Sequence, residues 1–112
     1  MTPSGDDFVA GVLAALVWLA RVGALDGHLP AEIRSKVDGS GVRTNRISSR
    51  LLHYAGEGVL YAPAMELGAA LLAGDAESVR EPVRRLLSIG HTSGADLATG
   101  LLVGCLAGQM SK

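Results

Sequence analysis

Asp7 and Asp96 stand in two stretches that repeat one another in outline, Ser4-Gly5-Asp6-Asp7-Phe8-Val9-Ala10-Gly11-Val12-Leu13 and Ser93-Gly94-Ala95-Asp96-Leu97-Ala98-Thr99-Gly100-Leu101-Leu102. The shared pattern is S-G-x-D-[FL]-x-x-G-[VL]-L, with a threonine shortly before each copy, Thr2 and Thr92. Serine at an N-cap, an acid three residues later and an apolar run behind it form the grammar of a helix start. The helix dipole and the free N–H groups of the first turn favour a charged carboxylate there. That suits hydrogen-bonding an amide or ligating Mg²⁺. General-base chemistry near neutral pH would require the two copies to crowd each other. If the two starts meet in space, Asp7, Asp96 and the unmatched Asp6 line a pseudo-symmetric polar pocket, with the backbone of Gly5 and Gly94 and the hydroxyls of Ser4 and Ser93.

A simpler reading stands beside this one. Each copy alone is also a capping box, worth on the order of 1 kcal/mol to its helix. Gly5 and Gly94 weigh toward the pocket. Glycine in a first turn weakens a helix by up to ~1 kcal/mol against alanine, and helps only where something must approach the backbone closely. Gly11 and Gly100 repeat the feature two turns later.

Further chemistry-bearing residues lie between and before these stretches. Arg43, Arg46 and Arg50 fall at i, i+3 and i+7, so on a helix they share one face that can grip a carboxylate or phosphate or simply face water. Thr44, Asn45 and Ser48 sit at the mouth of the same helix, as pocket groups or, for Thr44, as an N-cap. His91, directly before Thr92-Ser93-Gly94, is the best placed of three histidines for proton transfer or anion contact. Neither His28 nor His53 has partners at metal-ligand spacing, and no cofactor motif is evident. The phosphate-loop, nucleophile-elbow and zinc-protease patterns are absent as well.

The elements that must hold these groups are helices. The chain has 112 residues, 48% of them apolar, with 15 glycines and only four aromatic side chains, Phe8, Trp18, Tyr54 and Tyr61. That composition predicts one domain with a core of Ala, Leu, Val and Gly, suited to closely packed helices. Helices are expected over residues 5–24, 31–37, from 44 to about 56–61, from 63 to 73, over 76–89, and from 93 to the apolar tail. Pro82 predicts a kink or restart in the fifth. The fold class is therefore all-α: a compact bundle of five or six helices around two central Gly/Ala-rich ones. Gly100, Gly104 and Gly108 recur at i, i+4 and i+8, and Gly11, Ala14 and Ala15 form a matching set.

A net charge of −1 gives no field to recruit nucleic acid or an anionic membrane. Of the two apolar segments, residues 97–110 are too short to span a bilayer, and 8–25 open on aspartates instead of a basic region. The lone Cys105, in an apolar run, reads as a small buried hydrophobe, and the expected setting is the cytoplasm. The glycine-lined helices and apolar content also predict more buried surface than this length covers alone, hence a homo-oligomer or a complex.

Thr2-Pro3-Ser4-Gly5-Asp6-Asp7-Phe8, then Thr44 through Ser48, then Gly90-His91-Thr92-Ser93-Gly94-Ala95-Asp96 with Gly100, together resemble the AllH family. Its members show T-P-S-G-D-D-F, T-x-x-I-S and G-H-T-S-G-x-D segments in this order. The resemblance covers nearly the whole chain and implies a single AllH-like helical domain over residues 1–112, either the C-terminal part of a longer family architecture or a short homologue. It implies a role in allantoin and purine catabolism, as a subunit of an oxamate carbamoyltransferase that phosphorolyses oxalurate to oxamate and carbamoyl phosphate alongside other subunits. Carried onto this sequence, it implies Asp7, Asp96 and His91 as catalytic groups. Thr2, Ser4, Gly5, Asp6, Thr44, Asn45, Arg46, Ser48, Thr92, Ser93 and Gly94 become substrate-binding positions, with Mg²⁺ compatible with the carboxylates. The competing expectation is a helical ligand-binding or assembly domain without chemistry of its own.

Overall fold

The structure, a computed structural model, describes residues 4–25, 27–39, 46–89 and 93–110. Six helices fill most of this span, and no strand occurs among the described residues: α1 (Ser4–Arg21), α2 (His28–Gly39), α3 (Arg46–Gly56), α4 (Ala62–Ala73), α5 (Ala76–Leu87) and α6 (Ser93–Met110). The fold is the all-α bundle that the sequence pattern predicts. Its centre is α1, which packs on α6 along most of its length and on α2 and α3 beside it, while α6 also meets α4 and α5. Leu13, Leu86, Leu97 and Leu101 are the largest apolar side chains wholly removed from solvent.

The glycine spacing decides how α1 and α6 lie. A Cβ at Gly11 would stand 2.7 Å from the Leu101 nitrogen, and one at Gly100 would stand 3.1 Å from the Gly11 Cα. Further along, a Cβ at Gly104 would lie 2.7 Å from the Ala15 Cβ and 2.9 Å from the Val12 carbonyl oxygen, while Gly108 faces Leu19. The contacts advance in the same direction on both helices, so α1 and α6 are parallel. The equivalent glycines of the repeat, Gly11 and Gly100, meet at the closest crossing. At Gly11, Gly100 and Gly104 even a methyl group would push two backbones apart, whereas at Gly108 it would displace the Leu19 side chain.

Trp18 and Arg21, near the end of α1, fix the turn that joins α3 to α4. The Trp18 Nε1–H donates to the Gly58 carbonyl at 2.8 Å, and the Arg21 Nη2–H donates to the Glu57 carbonyl at 2.6 Å. Gly68 of α4 lies under the Trp18 ring, where a side chain would collide with it. The turn is a glycine C-cap. Gly58 has φ +79°, its N–H donates to the Ala55 carbonyl at 2.9 Å, and the Val59 N–H donates back to the Tyr54 carbonyl at 2.8 Å.

Helix boundaries depart from expectation where caps decide them. α1 stops at Arg21 because Gly23, φ +78°, turns the chain there. α2 begins at His28, ahead of Pro30, whose missing N–H falls among first-turn donors that have no helical acceptor anyway. α5 does not restart at Pro82 but runs unbroken through it to Leu87. Its start is held by the Asp75 carboxylate, which accepts from the Glu77 and Ser78 N–H groups, and the proline ring is buried. Tertiary packing thus offsets the lost helical hydrogen bond.

Candidate functional site

The parallel register puts both S-G-x-D starts at one end of the molecule. Gly11 and Gly100 face the partner helix at their crossing. Asp7 and Asp96, each four residues earlier and hence one turn back on the same helix face, are directed toward the α1–α6 seam. Asp7 is 1% exposed, the one buried charged residue among the described positions, and Asp96 is half-buried. The Oδ2 atoms of Asp6 and Asp96 are removed from solvent and accept no hydrogen bond from any described residue. Acceptors held in this way carry a desolvation cost that a donor from a bound molecule would offset.

The two glycines of the motif separate in role. A Cβ at Gly94 would drive into the Leu86 carbonyl, so this glycine lets the start of α6 close against the last turn of α5. A Cβ at Gly5 would meet nothing within 4 Å among the described residues. Packing among the described residues therefore accounts for Gly94 and not for Gly5. Ser93 is half-buried at the α6 start. Of Ser4, Arg46 and Ser48 only the helical backbone is described, while Thr2, Thr44, Asn45, His91 and Thr92 lie outside the described residues.

The family model of oxamate carbamoyltransferase subunit AllH matches residues 1–105. The chain belongs to the AllH family. In this AllH chain the match takes in both helix starts, the whole of α3 and the α3–α4 turn. No solved structure matches it.

A further residue lies within the field of Asp7 that the sequence reading does not single out. Tyr61, the residue before α4, has its phenol pushed above the ordinary tyrosine range, first by burial and then by the negative charge of Asp7. Its hydroxyl therefore stays protonated, a donor within the field of the seam carboxylate. Tyr61 also walls a cavity of about 320 Å³ shared with Arg50, Leu51, Tyr54, Val59 and Leu60. The sequence held one signal for it: Tyr61 is an aromatic residue directly ahead of the Ala62-Pro63 helix start, in a chain with few aromatics.

Cys105 on α6 is buried, and burial pushes its thiol up, so it acts as core and not as a nucleophile. Among the described residues no group of three or more His, Cys, Asp or Glu side chains is placed to hold a metal ion. No helix among them is long and apolar enough to cross a membrane.

Proposed function

We propose that this chain acts within an oxamate carbamoyltransferase and that its paired helix starts hold the substrate that is phosphorolysed, oxalurate. In that reaction a phosphate oxygen attacks the ureido carbonyl carbon, and the bond from that carbon to the oxamate nitrogen breaks. The nitrogen takes up a proton, giving oxamate and carbamoyl phosphate. The observation that carries the reading is the parallel α1–α6 register, which brings two copies of S-G-x-D to one end with Asp7 and Asp96 on the seam.

Each group then has a role that its chemistry supports. Main-chain N–H groups at the two helix starts suit the attacking phosphate. Asp7 and Asp96 accept from ureido N–H groups and hold the carbonyl carbon toward phosphate, an orienting role that asks for charged carboxylates and not for a neutral base. Asp6, without a counterpart in the second copy, makes the pocket asymmetric, in keeping with a substrate whose two ends differ. His91, one residue before Thr92-Ser93, is assigned proton delivery to the departing nitrogen. Thr2, Ser4, Thr44, Asn45, Arg46, Ser48, Thr92 and Ser93 are assigned to the pocket rim.

The test is turnover. The chain would be purified together with the other subunits of the transferase and assayed for carbamoyl phosphate from oxalurate and phosphate. Asp7→Asn and Asp96→Asn are expected to lower kcat/KM by about 10²-fold or more while the helical circular dichroism is preserved. Folded variants with unchanged turnover would overturn the assignment. An assembly role alongside catalysis is favoured by the apolar face of α6, where Leu102, Val103 and Leu106 are exposed.

A further inference from the structure

We propose that the cavity between α3 and the α3–α4 turn receives the carboxylate end of a small planar substrate, with Arg50 gripping the carboxylate beside Tyr54 and Tyr61. The inference rests on the reading above, since it assigns the recognition arm of the same site.

Four observations lead to it. At about 320 Å³ the cavity is at the small end of ligand pockets, which run from about 300 to 1,000 Å³. Arg50 is the charged residue among the described lining residues, and it is exposed on the α3 wall. Tyr54, one turn after Arg50 on the same helix face, and Tyr61 before α4 supply two aromatic rings to the lining, together with the buried Leu51 and Leu60. Finally, the charge of Asp7 is felt at the Tyr61 hydroxyl on the cavity wall.

This lining selects among anions. A guanidinium pairs bidentately with a planar carboxylate, and here it does so beside the apolar surface of Leu51, Val59 and Leu60. A flat conjugated body can lie against a tyrosine face. Phosphate can pair with Arg50 as well, but, tetrahedral and polar on every side, it would lose hydration on its remaining faces against Leu51, Val59 and Leu60. A neutral planar amide would gain the stacking and forgo the ion pair. The arrangement therefore fits a conjugated carboxylate such as oxamate or its carbamoylated form, with the reacting nitrogen directed to the Asp7 side. The rigid hold of Trp18 and Arg21 on residues 57–58 keeps this wall in place without the ligand.

The test uses the full chain, isotope-labelled, titrated separately with oxamate, with the neutral diamide oxamide and with inorganic phosphate, following the amide signals of Val59, Leu60 and Tyr61. Oxamate is expected to shift these signals saturably, with oxamide and phosphate leaving them in place. Arg50→Gln is expected to weaken oxamate by about tenfold or more, Arg50→Lys to restore part of the loss, and Tyr61→Phe to weaken it less than Arg50→Gln. Equal oxamate affinity in Arg50→Gln, shifts from oxamide as large as from oxamate, or no oxamate shift at these residues would overturn the proposal. The two readings fail separately. Turnover lost in Asp96→Asn with oxamate binding intact in Arg50→Gln removes the cavity assignment alone. Arg50-dependent binding without carbamoyl transfer by the assembled subunits removes the reaction alone.

Discussion

Gly5 and Gly94 occupy the same place in two copies of one motif and answer to different neighbours. Gly5→Ala is expected to be neutral or to raise stability by up to about 1 kcal/mol, because the new methyl meets open space and first-turn helix propensity improves. If it also weakens ligand binding, Gly5 serves backbone access. Gly94→Ala should instead destabilise by about 1–3 kcal/mol, since the Leu86 carbonyl must move. Paired denaturation curves and ligand titrations of the two variants check both statements. Tyr61 offers a second measurement at this scale. Its raised phenol pKa means the folded form retains its proton better than the unfolded chain, so this group favours unfolding as pH climbs past about 10. In Asp7→Asn the ultraviolet titration of Tyr61 should move down toward the ordinary value without reaching it, because burial is the larger cause. A titration unchanged by Asp7→Asn would refute the electrostatic link between seam and cavity.

Helices end and begin where single residues say so, and this level was the most legible in the sequence. All six elements were expected, with Pro63 in the first turn of α4 and the S-G-x-D serines opening α1 and α6. The boundaries that moved depended on partners far along the chain: Pro82 is carried inside α5 by burial, which no local pattern encodes. Sequence likewise marked Asp7 and Asp96 but not Tyr61, because the tyrosine enters the site through the turn pinned by Trp18 and Arg21, a tertiary contact between distant segments. Asp75, between the helices expected over 63–73 and 76–89, is the cap of α5. Hydrogen bonds from Ser78 and Glu77 hold its carboxyl below the usual carboxylate range. Its contribution is present above about pH 4, where the unfolded-state group is charged, and is lost as pH falls through the lower folded-state value. Asp75→Ala should therefore lower Tm near neutrality, the gap from the parent protein closing progressively below pH 4. A gap independent of pH would refute the cap.

Seen whole, the molecule is a slab of 39 × 34 × 18 Å with a Cα radius of gyration of 13.1 Å, thin enough that α6, though central, keeps one apolar side uncovered. Leu102, Val103 and Leu106 on that side, with Leu106 52% exposed, are expected to be covered by a transferase subunit or a second copy of the chain. Light scattering of the purified chain, alone and with partner subunits, should give an assembly larger than one chain, and Leu106→Glu should shift it toward monomer. A stable monomer with full carbamoyl-transfer activity would refute this.

The α1–α6 pairing also sets the order of events in synthesis. The most extensive contact joins the first described helix to the last, so α1, with eighteen residues dominated by Ala, Leu and Val, leaves the ribosome long before its partner exists. Until α6 follows, that surface has no native cover. Closure across almost the entire chain is slow compared with local helix pairing. This protein is thus committed to folding late, with its nascent form the stage most exposed to chaperones and to aggregation. The glycines that let α1 and α6 touch govern how soon that exposure ends.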